Sequence, residues 1–496
     1  MPTVQTSWAP DDAAAADLDR PRNDFVAEQL AAPGVFVQEH GPFSHYRREL
    51  SVDGDRRVET IDYRLAIPWF GWLFAIPVKR VLRHRRPPGA PQPWWAPAER
   101  IDERQALVLG LLAAASILAG YLNTLFTQTA TFAAKDFGIS KHGQGIAGTV
   151  VRLGIIVALP LLFLADRIGR RRAMVFAAWG GPAIACLGAL APSFALLTAS
   201  QTLSRPLGLA LDGLVAVVAA EEMPRGSRAY ALSVLAMAAG LGAGLCVIAL
   251  PLADIGRHGW RLVYAVPVIL TVISLDLFRR LPETKRFERP HRTHLRLPRR
   301  RFALLAATAF IGNLFVAPAS FFQNNYLETI RGFSATRISL FTLATQTPAG
   351  LGLVVGGRLA DVRGRRVLAA SALTVSTLML VISFTIGGWV MWMVAFVGGF
   401  VAGTSYPALF VYRTELFATG NRSWAGGLVT AMALGGGGIG LLSAGSLLDH
   451  HSYGSVMGSL ALAEVVVAAL VLFRYPETAH RELEEINPED SIVVAS

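Results

Sequence analysis

The chain has 496 residues, 53% hydrophobic and only 16% charged, with a formal charge of +11. Soluble domains carry about a quarter charged residues, and the deficit here falls in apolar runs of about 20 residues, the length that crosses a hydrocarbon core; a soluble globular protein is excluded. The basicity does not signal nucleic acid, and none is expected as a partner. The arginines sit in short loops on alternate sides of the apolar runs, as the positive-inside rule requires.

Cys186 and Cys246 both lie inside apolar runs, so they build neither a disulfide framework nor a metal site. No metal and no cofactor is expected. The start of the chain is polar and acidic, unlike a cleavable signal peptide. The first span is then expected to act as the insertion signal.

Residues 1–24 are rich in Ala, Asp and Pro and are expected to be a disordered tail. Residues 25–104 read as a small α/β cytoplasmic extension. Phe43 to Val52 and Arg57 to Leu65 are predicted strands around Asp53-Gly54, a hairpin turn signal. Ile61, Tyr63 and Leu65 alternate and give one apolar face. The run Ile67 to Val78 holds two prolines and is too short to span. With Lys79, Arg80, Arg83, Arg85 and Arg86 behind it, it reads as an interfacial segment, aromatics at headgroup depth and cations toward anionic lipid. Pro87 to Pro97 is a Pro/Trp-rich linker. Gly41-Pro42-Phe43, the hairpin, Tyr63-Arg64-Leu65 and the basic helix after them weakly resemble the end of the START-like polyketide-cyclase/dehydrase fold.

Twelve spans are predicted at 105–130, 143–165, 173–195, 196–221, 229–253, 260–281, 301–326, 333–358, 366–387, 389–416, 423–448 and 454–475. The fold class is all-α integral membrane, with two pseudo-symmetric six-helix halves at 105–282 and 301–478. A basic cytoplasmic loop at 283–300 joins them, and 479–496 is a cytoplasmic tail. With the N-terminus inside, the arginine knots at 167–172, 225–228, 279–301, 363–366 and 422 all fall on one side. That predicts a multi-pass plasma-membrane protein with both termini cytoplasmic.

Three motif pairs mark the halves as repeats. Leu164 to Arg172 follows the second span, and Gly357 to Arg366 follows the eighth. Glu221 to Arg228 closes the fourth span, and Glu415 to Arg422 the tenth. Pro282-Glu283-Thr284 follows the sixth, and Pro476-Glu477-Thr478 the twelfth. Parallel six-span halves are a transporter architecture.

These residues resemble the major facilitator superfamily over about residues 105–486. Asp166-Arg167-x-Gly169-Arg170-Arg171 is similar to its loop signature, and Gly357 to Arg366 is a second copy. Glu-x-x-Pro-x-x-x-Arg and Pro476-Glu477-Thr478…Leu483-Glu484-Glu485-Ile486 resemble the sugar-porter and metabolite-porter branch. Leu162 and Ala418 depart from the pattern, where that family has Gly and Pro. The resemblance implies a cytoplasmic gate. Its members here are Asp166, Arg167, Gly169, Arg170, Glu221 and Arg228, with Gly357, Asp361, Gly364, Arg365, Glu415 and Arg422 in the second half. The plainer alternative is that these arginines only set topology, but topology needs no Asp or Glu.

A charge inside a span costs at least about 2.5–3.5 kcal/mol on insertion scales, so it should face a cavity or a partner. Arg152 and Arg205 lie inside the second and fourth spans, each about nine residues, or roughly 13 Å, from the outer end. Asp212 follows Arg205 by two turns on the same face. One reading is a cationic pocket with Asp212 as counter-ion or proton carrier; the other is a fixed structural pair. Gln323, Asn324 and Asn325 suit hydroxyl or carboxylate recognition, or else form a wet outer helix end. Asn123, Gln346 and Tyr406, with Gln128 and Asn313, are further cavity candidates or interhelical glue. Glu464 is expected to have a structural partner. The glycines of Gly240-x-Gly242-x-Gly244 and Gly435 to Gly440 read as close packing or bending between the halves.

The expected function is a secondary active transporter of a small polar or anionic metabolite, such as a sugar or organic acid, working by alternating access, with protons as the candidate coupling ion. It is expected to be monomeric, and its other partner is the lipid bilayer. An efflux antiporter is the alternative within transport. A non-transporting sensor using residues 25–104 is the alternative outside it. No constellation of catalytic residues points to an enzyme.

Overall fold

The computed structural model describes residues 2–9, 17–87, 92–93, 95–97, 99–154, 169–224, 227–281, 298–417 and 422–477. It opens on a five-stranded antiparallel sheet. The strands are β1 (Thr3–Trp8), β2 (Ala27–Ala32), β3 (Val35–His40), β4 (Phe43–Asp53) and β5 (Arg56–Leu65), in the order β1-β5-β4-β3-β2. The hairpin falls where the turn signal placed it, with Gly54 at φ +60°. Part of the tail expected to be disordered is ordered, while residues 10–16 lie outside the described residues. Thr3–Trp8 pairs with β5 as an edge strand, its alternation masked by short polar residues.

A register shift at Phe43/His45 puts Phe43, Tyr46 and Arg48 of β4 on one buried face. Arg48 is fully buried. Its guanidinium meets Glu28 at 2.8 Å, donates to the carbonyls of Leu18 and Arg20 at 3.0 Å, and lies over the Phe36 ring. Arg22 pairs with Asp24 at 2.9 Å and donates to the Leu82 carbonyl at 2.8 Å. That carbonyl belongs to α1 (Ala75–Arg83), whose Val78 and Leu82, one turn apart, face the sheet. Burial alone would raise the Asp24 carboxyl, but the Arg22 guanidinium outweighs it and holds the group below the usual carboxylate range.

Among the described residues, six helices follow before residue 282: α2 (Glu103–Phe137), α3 (Lys141–Leu153), α4 (Arg170–Ala189), α5 (Phe194–Glu222), α6 (Arg228–Ala249) and α7 (Trp260–Arg280). Six more follow it: α8 (Arg299–Thr329), α9 (Ala335–Arg363), α10 (Arg365–Ser383), α11 (Gly388–Glu415), α12 (Arg422–Leu448) and α13 (Tyr453–Arg474). Among the described residues, ten of the helices are long and apolar enough to cross a membrane. The helix starts are written in the sequence. Asp102 and Gln105 form a capping box on α2, and Ser140, Ser193, Ser334 and Ser452 cap α3, α5, α9 and α13.

The paired glycines do not all lie between the halves, as the sequence reading had them. Gly242 of α6 faces the Ile117 carbonyl of α2, and a Cβ there would come within 1.9 Å of it; Gly436 of α12 faces the Phe310 carbonyl of α8 at 2.0 Å. Both contacts sit inside a half, at matching positions. Gly437, Gly438 and Gly445 instead face α3 of the other half.

Among the described residues the module docks on the first half. Ile67 and Pro68 press on Gly110 of α2. Ser227 exchanges hydrogen bonds with the Glu99 backbone, Tyr230 donates to the Trp95 carbonyl at 3.0 Å, and Trp69 donates to Asp276 at 3.1 Å.

Removing one partner of a buried ion pair strands the other, at about 3–5 kcal/mol. Glu28→Ala should therefore loosen the module by about that much, read as faster amide exchange across β3 and β4 in the full chain. Asp24→Asn should loosen it at neutral pH. Because the folded pKa is depressed, the wild-type advantage is complete above the unfolded carboxylate value of about 3.9 and fades as pH falls through the folded value. Variant and wild type should converge in acid.

Candidate functional site

Gly169 and Gly364 hold equivalent places at the N-termini of α4 and α10. Their backbones match, at φ 101°, ψ 139° and φ 95°, ψ 146°. A side chain is strained at such positive φ, so both signature glycines are needed for the turn itself. Arg170 pairs with Glu221 at the end of α5, joining two motifs of the first half. In the second half the Glu477 carboxylate accepts from the backbone N–H groups of Arg365 and Arg366 at 3.0 and 3.1 Å. An anion at a helix N-terminus is stabilised by the orphan amides and the dipole. A Cβ on Gly364 would stand 3.0 Å from that carboxylate.

Glu477 was not singled out as a site residue. The repeat of Pro-Glu-Thr after both halves was the signal that pointed to it. Asp166 and Arg167 lie outside the described residues. Arg228, Gly357, Asp361, Glu415 and Arg422 stand on helix ends, and only their backbone placement is described.

Inside the bundle, Arg152 and Arg205 each lie twelve residues beyond a capping serine, Ser140 and Ser193. That is about 18 Å along each helix, deeper than the expected 13 Å because both helices begin earlier than predicted. Their helices touch beside them, since a Cβ on Gly154 would stand 2.5 Å from the Thr202 carbonyl, and the two positive charges repel each other. Among the described residues no acid forms an ion pair with either. Arg152 reaches across to α12, where a Cβ on Gly437 would meet its Nη1 at 2.9 Å. One turn away, Thr149 donates to the Gly438 carbonyl at 2.9 Å.

The buried Arg205 Nε has no hydrogen-bond partner, and neither has Asn123 Oδ1, which lies beside Gly208 one turn after Arg205. Gln201, one turn before, carries an unpartnered Oε1 as well; it was not among the candidates. Unpaired buried polar atoms are rare in native proteins and ask for an explanation. Asp212 is not covered by protein and forms no ion pair among the described residues.

At the end opposite the arginine loops the halves meet. Asn324 donates to Gln128 at 2.8 Å, Asn325 to Gln144 at 3.4 Å, and Tyr453 to Asn325. Lys135 pairs with Glu328, and Lys141 donates to the Leu448 carbonyl at 3.0 Å. Asp254 accepts from the Ala335 and Thr336 N–H groups at 2.8 and 2.7 Å, capping α9 from the other half. The amides of α8 thus sit in a polar seam. Gln323 beside them is half-buried. Gln346 and Tyr406 are exposed, the latter at 59%. Asn313 donates back to its own helix at 3.0 Å. Glu464 is buried, and its Oε2 has no partner, beside a cavity of about 240 Å3 between α10 and α13.

The sequence matches the Major Facilitator Superfamily over residues 111–344 and 302–494. It is 25% identical over 381 residues to a probable 4-methylmuconolactone transporter of Cupriavidus pinatubonensis, covering 72% of this chain and 86% of that one. It is also 25% identical over 233 residues to the fosmidomycin resistance protein of Escherichia coli, covering 46% and 56%. The fold is similar to the inward-open xylose transporter XylE of E. coli, with a TM-score of 0.63 at 15% identity over 77% of this chain and 99% of that one. A bacterial homolog of the human lysosomal transporter Spinster, inward-facing, gives a TM-score of 0.61 at 15% identity over 78% and 98%. With its repeated arginine loops and its helical halves, the chain belongs to the Major Facilitator Superfamily and is a multi-pass membrane transporter, not an enzyme.

Proposed function

We propose that the protein is a secondary active transporter that moves a small anionic metabolite between its two halves by alternating access. The observation that carries this is the Arg152–Arg205 pair: two guanidinium groups near each other within the bundle, one of them against Gly437 of the opposite half. An anion there offsets the mutual repulsion, fills the unpartnered donor of Arg205, and touches both halves at once. Arginine suits such a substrate because its planar fork matches a carboxylate or phosphate. Asn123 and Asp212 complete the polar lining, and the uncovered Asp212 is the candidate proton carrier.

The arginine-loop end is the cytoplasmic one by the positive-inside rule. The seam at Asn324, Asn325 and Asp254 then closes the outer side, which makes this the inward-facing arrangement. The loop motifs are the cytoplasmic gate. In the outward-facing arrangement they hold the two halves together, with Arg170–Glu221 and the Glu477 cap fixing the ends of α4 and α10. Likeness to the muconolactone transporter supports a small metabolite as the substrate. Likeness to a drug-resistance protein favours a second direction, export rather than uptake.

Truncating one member of a buried, hydrogen-bonded charge pair costs about 2–5 kcal/mol. Arg205→Ala should accordingly lower kcat/KM for a labelled organic acid by about 30-fold or more in proteoliposomes, with Arg205→Lys between the two. Uptake kinetics unchanged in Arg205→Ala would remove the anion site. Glu221→Gln should leave substrate affinity within about twofold and slow counterflow exchange several-fold, because it touches the gate and not the pocket. Wild-type exchange in that variant would sink the gate assignment.

A further inference from the structure

The N-terminal module and the first half enclose a second cavity, of about 440 Å3, a size that suits a small-molecule site. It lies outside the helix bundle, and Phe25, Val78 and Ala96 of the module's core form part of its wall. Its wall is mostly apolar, with Gln92 and Arg100 the polar exceptions. Phe74 and Trp95 come from the module, Leu109 and Ala113 from α2, Met237 and Leu241 from α6. Met237 and Leu241 are 70% and 61% exposed on a membrane helix, so the mouth opens sideways, toward the hydrocarbon. Water has few partners in such a lining; an alkyl chain has many.

One end of the cavity is different. Arg100 lines it, with Nη2 donating to Asn23 at 2.9 Å and to the Asp24 carbonyl at 2.7 Å, while its buried Nε has no partner. The segment that supplies the lining residues Leu73, Phe74 and Val78 is amphipathic. Trp72 and Ile76 are exposed, and α1 carries Lys79, Arg80 and Arg83. Exposed aromatics beside a basic helix are the features of a surface that rests on anionic lipid.

We propose that this cavity binds an anionic amphiphile, its acyl chain between Trp95, Ala113 and Met237 and its acidic head at Arg100. A membrane phospholipid and a free fatty acid share that chemistry. Among the described residues the site is built by the module and the first half, so it stands whether or not the arginine pair carries the substrate.

The test uses the full chain reconstituted in phosphatidylcholine vesicles. Dibromostearate or dibrominated phosphatidylglycerol is titrated in, and the Trp95 signal is taken as wild type minus Trp95→Phe. A saturable quenching component is expected. Quenching by the phospholipid probe alone assigns a lipid, by the stearate probe alone a free acid, and either supports the site. Ala113→Phe fills the cavity from α2 and Ala238→Leu from α6; each should abolish the saturable component while the module keeps its protease resistance. Two walls are used so that one misfolded variant does not decide the matter. Arg100→Gln should weaken binding about tenfold or more, as loss of a charged hydrogen-bond donor does. No saturable quenching by either probe would overturn the proposal. So would equal quenching in both filled variants, or equal quenching by brominated phosphatidylcholine.

Discussion

Each half is held together by backbones that come close enough to touch. In a bilayer the lipid tails are as apolar as leucine, so helices gain little by hiding apolar side chains from them. What remains is intimate packing, and small residues permit it. Gly120 and Gly242 bring α2 against α6; Gly436 and Gly440 bring α8 against α12. In the second half, Gly352, Gly356, Gly399 and Gly403 do the same for α9 and α11. Any Cβ at these places would run into a backbone carbonyl, which cannot move as a flexible side chain can. The rigidity of each half follows from this, and so does the contrast with the joint between halves. That joint is sealed at one end by a few amides, hydroxyls and charges, groups that can exchange partners with water.

Much of the architecture was legible because membranes enforce a simple code. Apolar length marked the long helices, and serine and aspartate marked helix starts. The hairpin turn at Asp53-Gly54 was equally plain. The edge strand Thr3–Trp8 was not, since Thr-Val-Gln-Thr-Ser-Trp sets only Val4 and Trp8 as apolar residues on its inner face, with Thr6 between them. Nor was the burial of Arg22, Asp24, Glu28 and Arg48. Charged residues in a short extension read as surface, and only the fold shows that they satisfy one another inside.

The candidate site was legible by residue type and not by partnership. Sequence spacing placed Arg152 and Arg205 at one depth, and they are neighbours. It also allowed Asp212 to pair with an arginine, and no such pair forms among the described residues. The three amides of α8 read as a binding site ahead of a wet helix end. Asn324 and Asn325 take a different place, bonded across the seam. Periodicity gives the face of a helix; it does not say which helix that face meets. Glu477 illustrates the same limit. A carboxylate 112 residues away in the chain caps Arg365, and only a repeated tripeptide hinted at it.

The docking of the N-terminal module has a practical consequence. Its contacts run to α2, α6 and α7, through Gly110, Ser227, Tyr230 and Asp276. None of these belongs to the second half. Under the proposed alternating-access cycle, a body fixed to one half is a natural pointer. A spin label on its exposed hairpin, paired with one on the second half, would turn a small rotation deep in the bilayer into a distance change in open solvent. The domain that looked least like part of the machine is thus where its motion is easiest to watch.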